Sequence, residues 1–148
     1  MHIATKFLCD YRATLEPVQH DMGRAHAGRR LIAVVTGGDF KGERLNGRVL
    51  PGGGDWALID DERDTLRLDA RVTWETNDGA KIFVSYRGVL KPLSLLRRSN
   101  AERQALYFRT SPVFETGDVR YVWLNDLVCV AIGSVESNAV RYQVFEVE

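Results

Sequence analysis

The chain has 148 residues, 45% of them apolar and 27% charged, and its 20 Lys plus Arg balance 20 Asp plus Glu. That is the length and composition of one globular domain spanning residues 1–148, long enough to bury a sizeable core. The neutral balance argues against a nucleic-acid or membrane-surface binder, both of which need a basic excess.

Met1–Pro17 (MHIATKFLCDYRATLEP) alternates apolar and polar residues. It lacks the charged, apolar and small-residue succession of a signal peptide, and no apolar run approaches a membrane span, so a cytoplasmic protein is expected. Within it, Ile3–Leu15 reads as a loosely alternating strand. Val18–Gly28 (VQHDMGRAHAG) is polar and contains glycine, and reads as a loop. Arg30–Thr36 is an apolar strand core ended by Gly37-Gly38. Glu43–Leu50 runs up to Pro51-Gly52-Gly53-Gly54, and Asp55–Ile59 resumes the strand.

Leu66–Thr76 shows the clearest period of two, with Leu66, Leu68, Ala70, Val72 and Trp74 on one face and Arg67, Asp69, Arg71, Thr73 and Glu75 on the other. Asn77-Asp78-Gly79 is a strong hairpin turn, and Lys81–Val89 is the return strand. Leu93–Ala105 holds the one short helix, opened by a Ser99–Glu102 capping box and predicted to cross a barrel opening or join two strands. Tyr107–Thr116, Val119–Leu124, Leu127–Val135 and Val140–Val147 complete the strands, with turns at Gly117-Asp118 and Asn125-Asp126. About nine short-linked strands form a meander that closes into an antiparallel barrel or packs as two sheets. Closure is the better solution because it removes both sheet edges, and glycine supplies the corners.

Several chemistries find no footing. His2, His20 and His26 match no zinc-ligand spacing, and neither His20 nor His26 has a cysteine near it, so no metal is expected. Gly37–Gly42 and Gly52–Gly54 lack the Gly-Lys-Ser/Thr ending of a phosphate loop and precede no helix, so they read as bends in barrel strands. No Gly-x-Ser-x-Gly elbow is present. Cys9 and Cys129 are the only cysteines, which points to reduced, partly buried thiols.

What remains is carboxylates, an arginine and aromatics at strand positions. Asp55, Asp69, Arg109 and Glu115 are the candidate catalytic groups. Trp56, Tyr86, Tyr121, Trp123 and Asn125 are the candidate ligand contacts, with Tyr121, Trp123 and Asn125 on one face of a strand. A charged residue in mid-strand is either outside in water or inside and paired. For Asp69 the two readings weigh evenly; Asn125 weighs towards a turn residue, and the tryptophans towards core filling. Arg109 and Glu115 share parity, but the strand between them spans roughly 20 Å, so they grip one small group only if Pro112 bends it.

The ordered set Gly38–Gly42 (GDFKG), Leu45–Trp56 (LNGRVLPGGGDW), Leu68–Arg71 (LDAR), Asp78-Gly79-Ala80, Tyr107–Thr110 (YFRT), Phe114-Glu115-Thr116 and Tyr121–Asn125 (YVWLN) resembles a family of bacterial and fungal proteins. That family is catalogued as domain of unknown function 3237, an uncharacterised UPF group. The resemblance spans about residues 30–147 and implies a calycin-like antiparallel β-barrel with no established activity. Val72 stands where the family often has an aromatic residue, and Asn77 where it often has Asp.

The equipment points to a cofactor-independent acid–base enzyme of isomerase, cyclase or lyase type. Its organic substrate would sit in the barrel lumen, Asp55, Asp69 or Glu115 would move a proton, and Arg109 would hold an anionic group or an enolate-like charge. The alternative is a non-catalytic carrier for an apolar or aromatic small ligand. A third reading is an assembly role, and a homodimer through an outer sheet face fits all three.

Overall fold

The period-two pattern folds as ten strands: β1 Thr5–Leu15, β2 His20–Ala25, β3 Gly28–Lys41, β4 Asn46–Val49, β5 Gly54–Asp60, β6 Thr65–Thr76, β7 Lys81–Lys91, β8 Tyr107–Glu115, β9 Cys129–Glu136 and β10 Ala139–Val147. The computed structural model describes all residues, Met1–Glu148. Every pairing is antiparallel, and β1 bonds to both β10 and β3, which closes the sheet. Around the barrel the order is β1, β10, β9, β8, β7, β6, then a lane shared by β4 and β5, then β3. The result is a closed eight-stranded antiparallel barrel with extra strands, as the alternation and the edge argument led us to expect.

The shared lane explains the glycine-rich segment. β4 pairs with the far half of β3 (Asp39–Lys41) and β5 with its near half (Arg29–Val34), and Leu50–Gly53 forms the break between them. The break stays stitched to the barrel: Leu50 N–H donates to Thr73 O at 2.9 Å, and Val35 N–H to Gly53 O at 2.9 Å. A Cβ on Gly53 would lie 2.5 Å from the Arg71 carbonyl oxygen, so only glycine allows β6 to pass this close. The triple glycine is a barrel bend.

Three local expectations change. β3 does not end at Gly37-Gly38 but runs through it to Lys41. Gly38 takes φ +135°, and a Cβ there would collide with the Arg12 carbonyl oxygen, so the pair bends the strand without stopping it. Val18–Gly28 is not all loop: β2 pairs with β3 as a hairpin. All six β2 residues are exposed, so no apolar alternation marks it and its order comes from backbone bonds. Val119–Leu124 is not a strand: Val122–Asp126 is a turn of 3-10 helix anchored by buried Leu124.

The expected helix is two pieces, a 3-10 turn at Leu93–Arg97 and the helix α1, Asn100–Arg103. The capping box is formed, with Ser99 Oγ accepting from Glu102 N–H and Ser99 N–H donating to Glu102 Oε2 at 3.0 Å. The 3-10 turn is tied to the β5–β6 turn, since Asp64 accepts from the Ser94 N–H (2.9 Å) and hydroxyl. No helix of the chain is long and apolar enough to cross a membrane.

The core is packed unevenly along the barrel axis. At one end Trp74 stacks on Phe40 (centroids 4.2 Å apart, 13° between planes) and meets Tyr11 and Phe114 at 4.9 and 5.5 Å. Leu8, Leu45, Ile82 and Leu124 are fully buried. Towards the other end the inward positions include the small side chains of Ala33, Ala57 and Ala139, and a cavity of about 250 Å³ remains.

Candidate functional site

That cavity is the barrel lumen. Its walls are mostly aliphatic: Leu31 and Val35 from β3, Leu66 and Leu68 from β6, Leu90 from β7, with Phe108 from β8 and Leu96 of the 3-10 turn. Among these stand Asp55 from β5, Tyr86 from β7 and Tyr142 from β10. Strand alternation decides which side chains enter. In β5, Asp55 shares parity with inward Ala57 and Ile59.

Asp55 is held in place by its own neighbour lane: Asp69 N–H donates to Asp55 Oδ1 at 2.8 Å. The residue is half-buried, and it lines the cavity. Burial pushes its pKa up to about 6, the Asp69 backbone bond pulls the other way, and the Asp69 charge adds to the rise.

Three tyrosines lie next to it. The Tyr11 and Tyr86 hydroxyls are 3.2 Å apart and hydrogen-bonded. The Tyr142 ring stacks on Tyr11 at 5.2 Å and meets Tyr86 edge-on at 5.3 Å. Burial raises all three phenol pKa values well above the ordinary value, and the Asp55 charge raises each further. Trp74 Nε1, on a side chain with no solvent exposure, has no hydrogen-bond partner. It borders a second, water-sized void of about 10 Å³ lined also by Tyr11, Tyr86, Thr110 and Tyr142. At the mouth, Glu136 is held ionised by Arg141 and Arg12, whose Nε atoms donate to it at 2.8 and 3.0 Å.

Of the residues singled out from sequence, the structure brings Asp55 and Tyr86 together in the lumen. Asp69 has the opposite parity to Leu68 and Ala70, and its carboxylate lies outside, 3.3 Å from Arg71 and 4.0 Å from Arg87. β8 alternates without a bend at Pro112, so Arg109 and Glu115 are both exposed while Phe108, Thr110, Pro112 and Phe114 turn inward. Arg109 lies over the Tyr107 ring at 5.0 Å, in an open groove on the outer wall that also holds Arg87, Val130 and Ile132. Trp56 is next to Asp55 but on the outer face, where Arg71 covers its ring at 5.4 Å. The three carboxylates and the arginine therefore form no common constellation, and only Asp55 faces the lumen.

Tyr121, Trp123 and Asn125 do not share a strand face, because their segment is a 3-10 turn at the packed end. Tyr121 hydroxyl donates to Asp78, Trp123 Nε1 donates to Arg120 O at 3.1 Å, and Arg44 lies 4.4 Å from the Trp123 ring. Asn125 clamps Thr116, accepting from its N–H and donating to its carbonyl, both at 2.9 Å. His20 and His26 are on the exposed β2–β3 hairpin.

Sequence reasoning missed Tyr11 and Tyr142 and passed over Trp74. A signal exists for the tyrosines. Tyr11 has the parity of Cys9 and Ala13, and Tyr142 that of Val144, so each places a hydroxyl in an apolar row.

The family model described as "Protein of unknown function (DUF3237)" matches residues 3–147. A UPF0311 protein of Rhodopseudomonas palustris is 33% identical over 150 residues, covering 98% of this chain and 97% of its own. The crystal structure of a conserved protein of unknown function from R. palustris matches with TM-score 0.92 at 32% identity, covering 100% of this chain and 99% of that one. A more distant crystal structure, of an enzyme from Penicillium herquei, shares the fold with TM-score 0.71 at 22% identity, covering 99% of this chain and 95% of that one. The chain belongs to the DUF3237 family.

Proposed function

We propose that the lumen binds a small, mainly apolar organic molecule and that Asp55 transfers a proton to or from it, in an isomerase-, cyclase- or lyase-type reaction that needs no cofactor. The observation that carries this reading is one carboxyl set in an otherwise aliphatic and phenolic cavity, with its pKa raised to about 6. A proton-transfer group works best when its pKa lies near the working pH, and burial supplies that shift here. The P. herquei neighbour lends the fold a catalytic precedent, by architecture alone. In this reading Asp69 positions Asp55 through its backbone N–H, and Arg109 and Glu115 take no part in the chemistry.

The test begins with a metabolite library screened for compounds that raise the melting temperature. Each hit is then incubated with the protein and products are followed by mass spectrometry. Asp55→Asn keeps the acceptor oxygen for Asp69 N–H but cannot ionise, and is expected to lower turnover by about 10²–10⁴-fold. Turnover at the wild-type rate in that variant overturns the assignment. A hit that binds both proteins equally and returns unconverted supports the carrier reading, which the aliphatic walls favour.

A further inference from the structure

The inner surface of the lumen has more hydrogen-bond donors than its own acceptors use. Tyr86 and Tyr142 line it and each carries one O–H, while Tyr11 stands behind them at the water-sized void. In the Tyr11–Tyr86 pair one hydroxyl donates and the other accepts, so the accepting hydroxyl keeps its own proton to give elsewhere. An unused donor in a desolvated site costs free energy, so such a surface favours an occupant that brings an acceptor oxygen.

The charge in the lumen sets a second condition. No Lys, Arg or His lines it, and Asp55 is its one interior carboxyl; Glu136, at the mouth, is neutralised by Arg12 and Arg141. The two arginines that pair with Glu136 bond it by side-chain Nε and do not line the cavity. A carboxylate or phosphate entering this space would shed its hydration, meet no cation, and face Asp55.

We infer that the lumen selects uncharged molecules with an apolar body and an acceptor oxygen, a ketone or a similar carbonyl, and that the Tyr86 and Tyr142 hydroxyls bind that oxygen while Asp55 turns anions away. This rests on the lumen being the binding site in the reading above, but it concerns selection and needs no catalysis.

Three probes of nearly one shape test it: 2-acetylnaphthalene, 2-ethylnaphthalene and 2-naphthoate, titrated calorimetrically at pH 8. The ketone is expected to bind at least about 10-fold tighter than the hydrocarbon, as one satisfied buried donor allows. The naphthoate is expected to bind more weakly than the ketone by at least that factor. Tyr142→Phe and Tyr86→Phe should each shrink the ketone-over-hydrocarbon preference while 2-ethylnaphthalene binding stays within about threefold, a control that excludes an unfolded variant. Asp55→Asn should strengthen naphthoate binding and leave the hydrocarbon unchanged.

Equal binding of ketone and hydrocarbon by the wild type overturns the inference, as does tightest binding of the naphthoate. No binding of any probe overturns it too. A ketone preference together with Asp55-independent turnover would sink the acid–base reading alone. Asp55-dependent turnover without a ketone preference would sink this one alone.

Discussion

Asp69 N–H donates to Asp55 Oδ1 across the β5–β6 pair, so the residue that holds the lumen carboxyl in place sends its own carboxylate to the opposite face of the sheet. Two aspartates that look alike in sequence thereby have different solvents. One is desolvated with its pKa raised to about 6; the other sits beside two arginines in water.

Asp55 makes stability fall as pH rises. Its folded pKa lies above the ordinary value of 3.8, so the folded state holds the proton more tightly than the unfolded chain does. The penalty is absent below the unfolded pKa, grows between 3.8 and about 6, and is complete above that. The shift corresponds to about 3 kcal/mol at most. Asp55→Asn should therefore be more stable than wild type at pH 8, with the gain vanishing near pH 4. Urea denaturation at both values checks this, and an equal effect at the two pH values contradicts it.

Removing either hydroxyl of the Tyr11–Tyr86 pair should destabilise modestly. Tyr11→Phe and Tyr86→Phe are each expected to cost about 1 kcal/mol, and the double variant less than the sum, since both singles break the same bond. A double-mutant cycle by denaturation gives the coupling directly; strict additivity would mean that the bond contributes nothing.

Asn125→Ala should unfold the protein more readily without touching the lumen. It removes both bonds to Thr116, at the end of β8, and strands a partly buried N–H, for a cost of roughly 1–3 kcal/mol. Thermal melts should show the loss, while binding of 2-acetylnaphthalene below the melting range should match wild type. A weakened affinity would place Asn125 in the ligand's reach after all.

Both thiols should be inert in the native protein. Burial raises Cys9 to about 12 and Cys129 to about 11, and both are buried free cysteines. The thiolate is the reactive form, so iodoacetamide at pH 8 should label neither until denaturant is added. Intact-mass spectrometry before and after unfolding reads the result, and rapid native labelling of either would contradict the burial.

The legible part of the molecule is what alternation encodes. Leu66 to Trp74 form one apolar row of β6, which the structure turns inward, and in β5 the same parity puts Asp55 inside with Ala57 and Ile59. β2 was illegible because all its residues are exposed, and a strand held by backbone bonds alone leaves no pattern. Val119–Leu124 misled because Val, Trp and Leu suit a strand, while the anchoring of Leu124 and the Asn125 clamp on Thr116 select a 3-10 turn. Asp69 and Glu115 were separable from Asp55 by parity alone, but only once β6 and β8 had a known inner face. Tyr11 and Tyr142 are register partners on the neighbouring strands β1 and β10, and because those strands come from opposite ends of the sequence no local spacing announces the pair.

The stack of Trp74 on Phe40, with Phe114 beside it, has a consequence for traffic. It closes that end of the lumen, so a bound molecule enters and leaves at the opposite rim, where Pro17, Leu96 and Glu136 lie. The 3-10 turn at that rim is held from two sides, by Asp64, which accepts from the Ser94 N–H and hydroxyl, and by Arg103, which donates to Leu96 O at 2.7 Å.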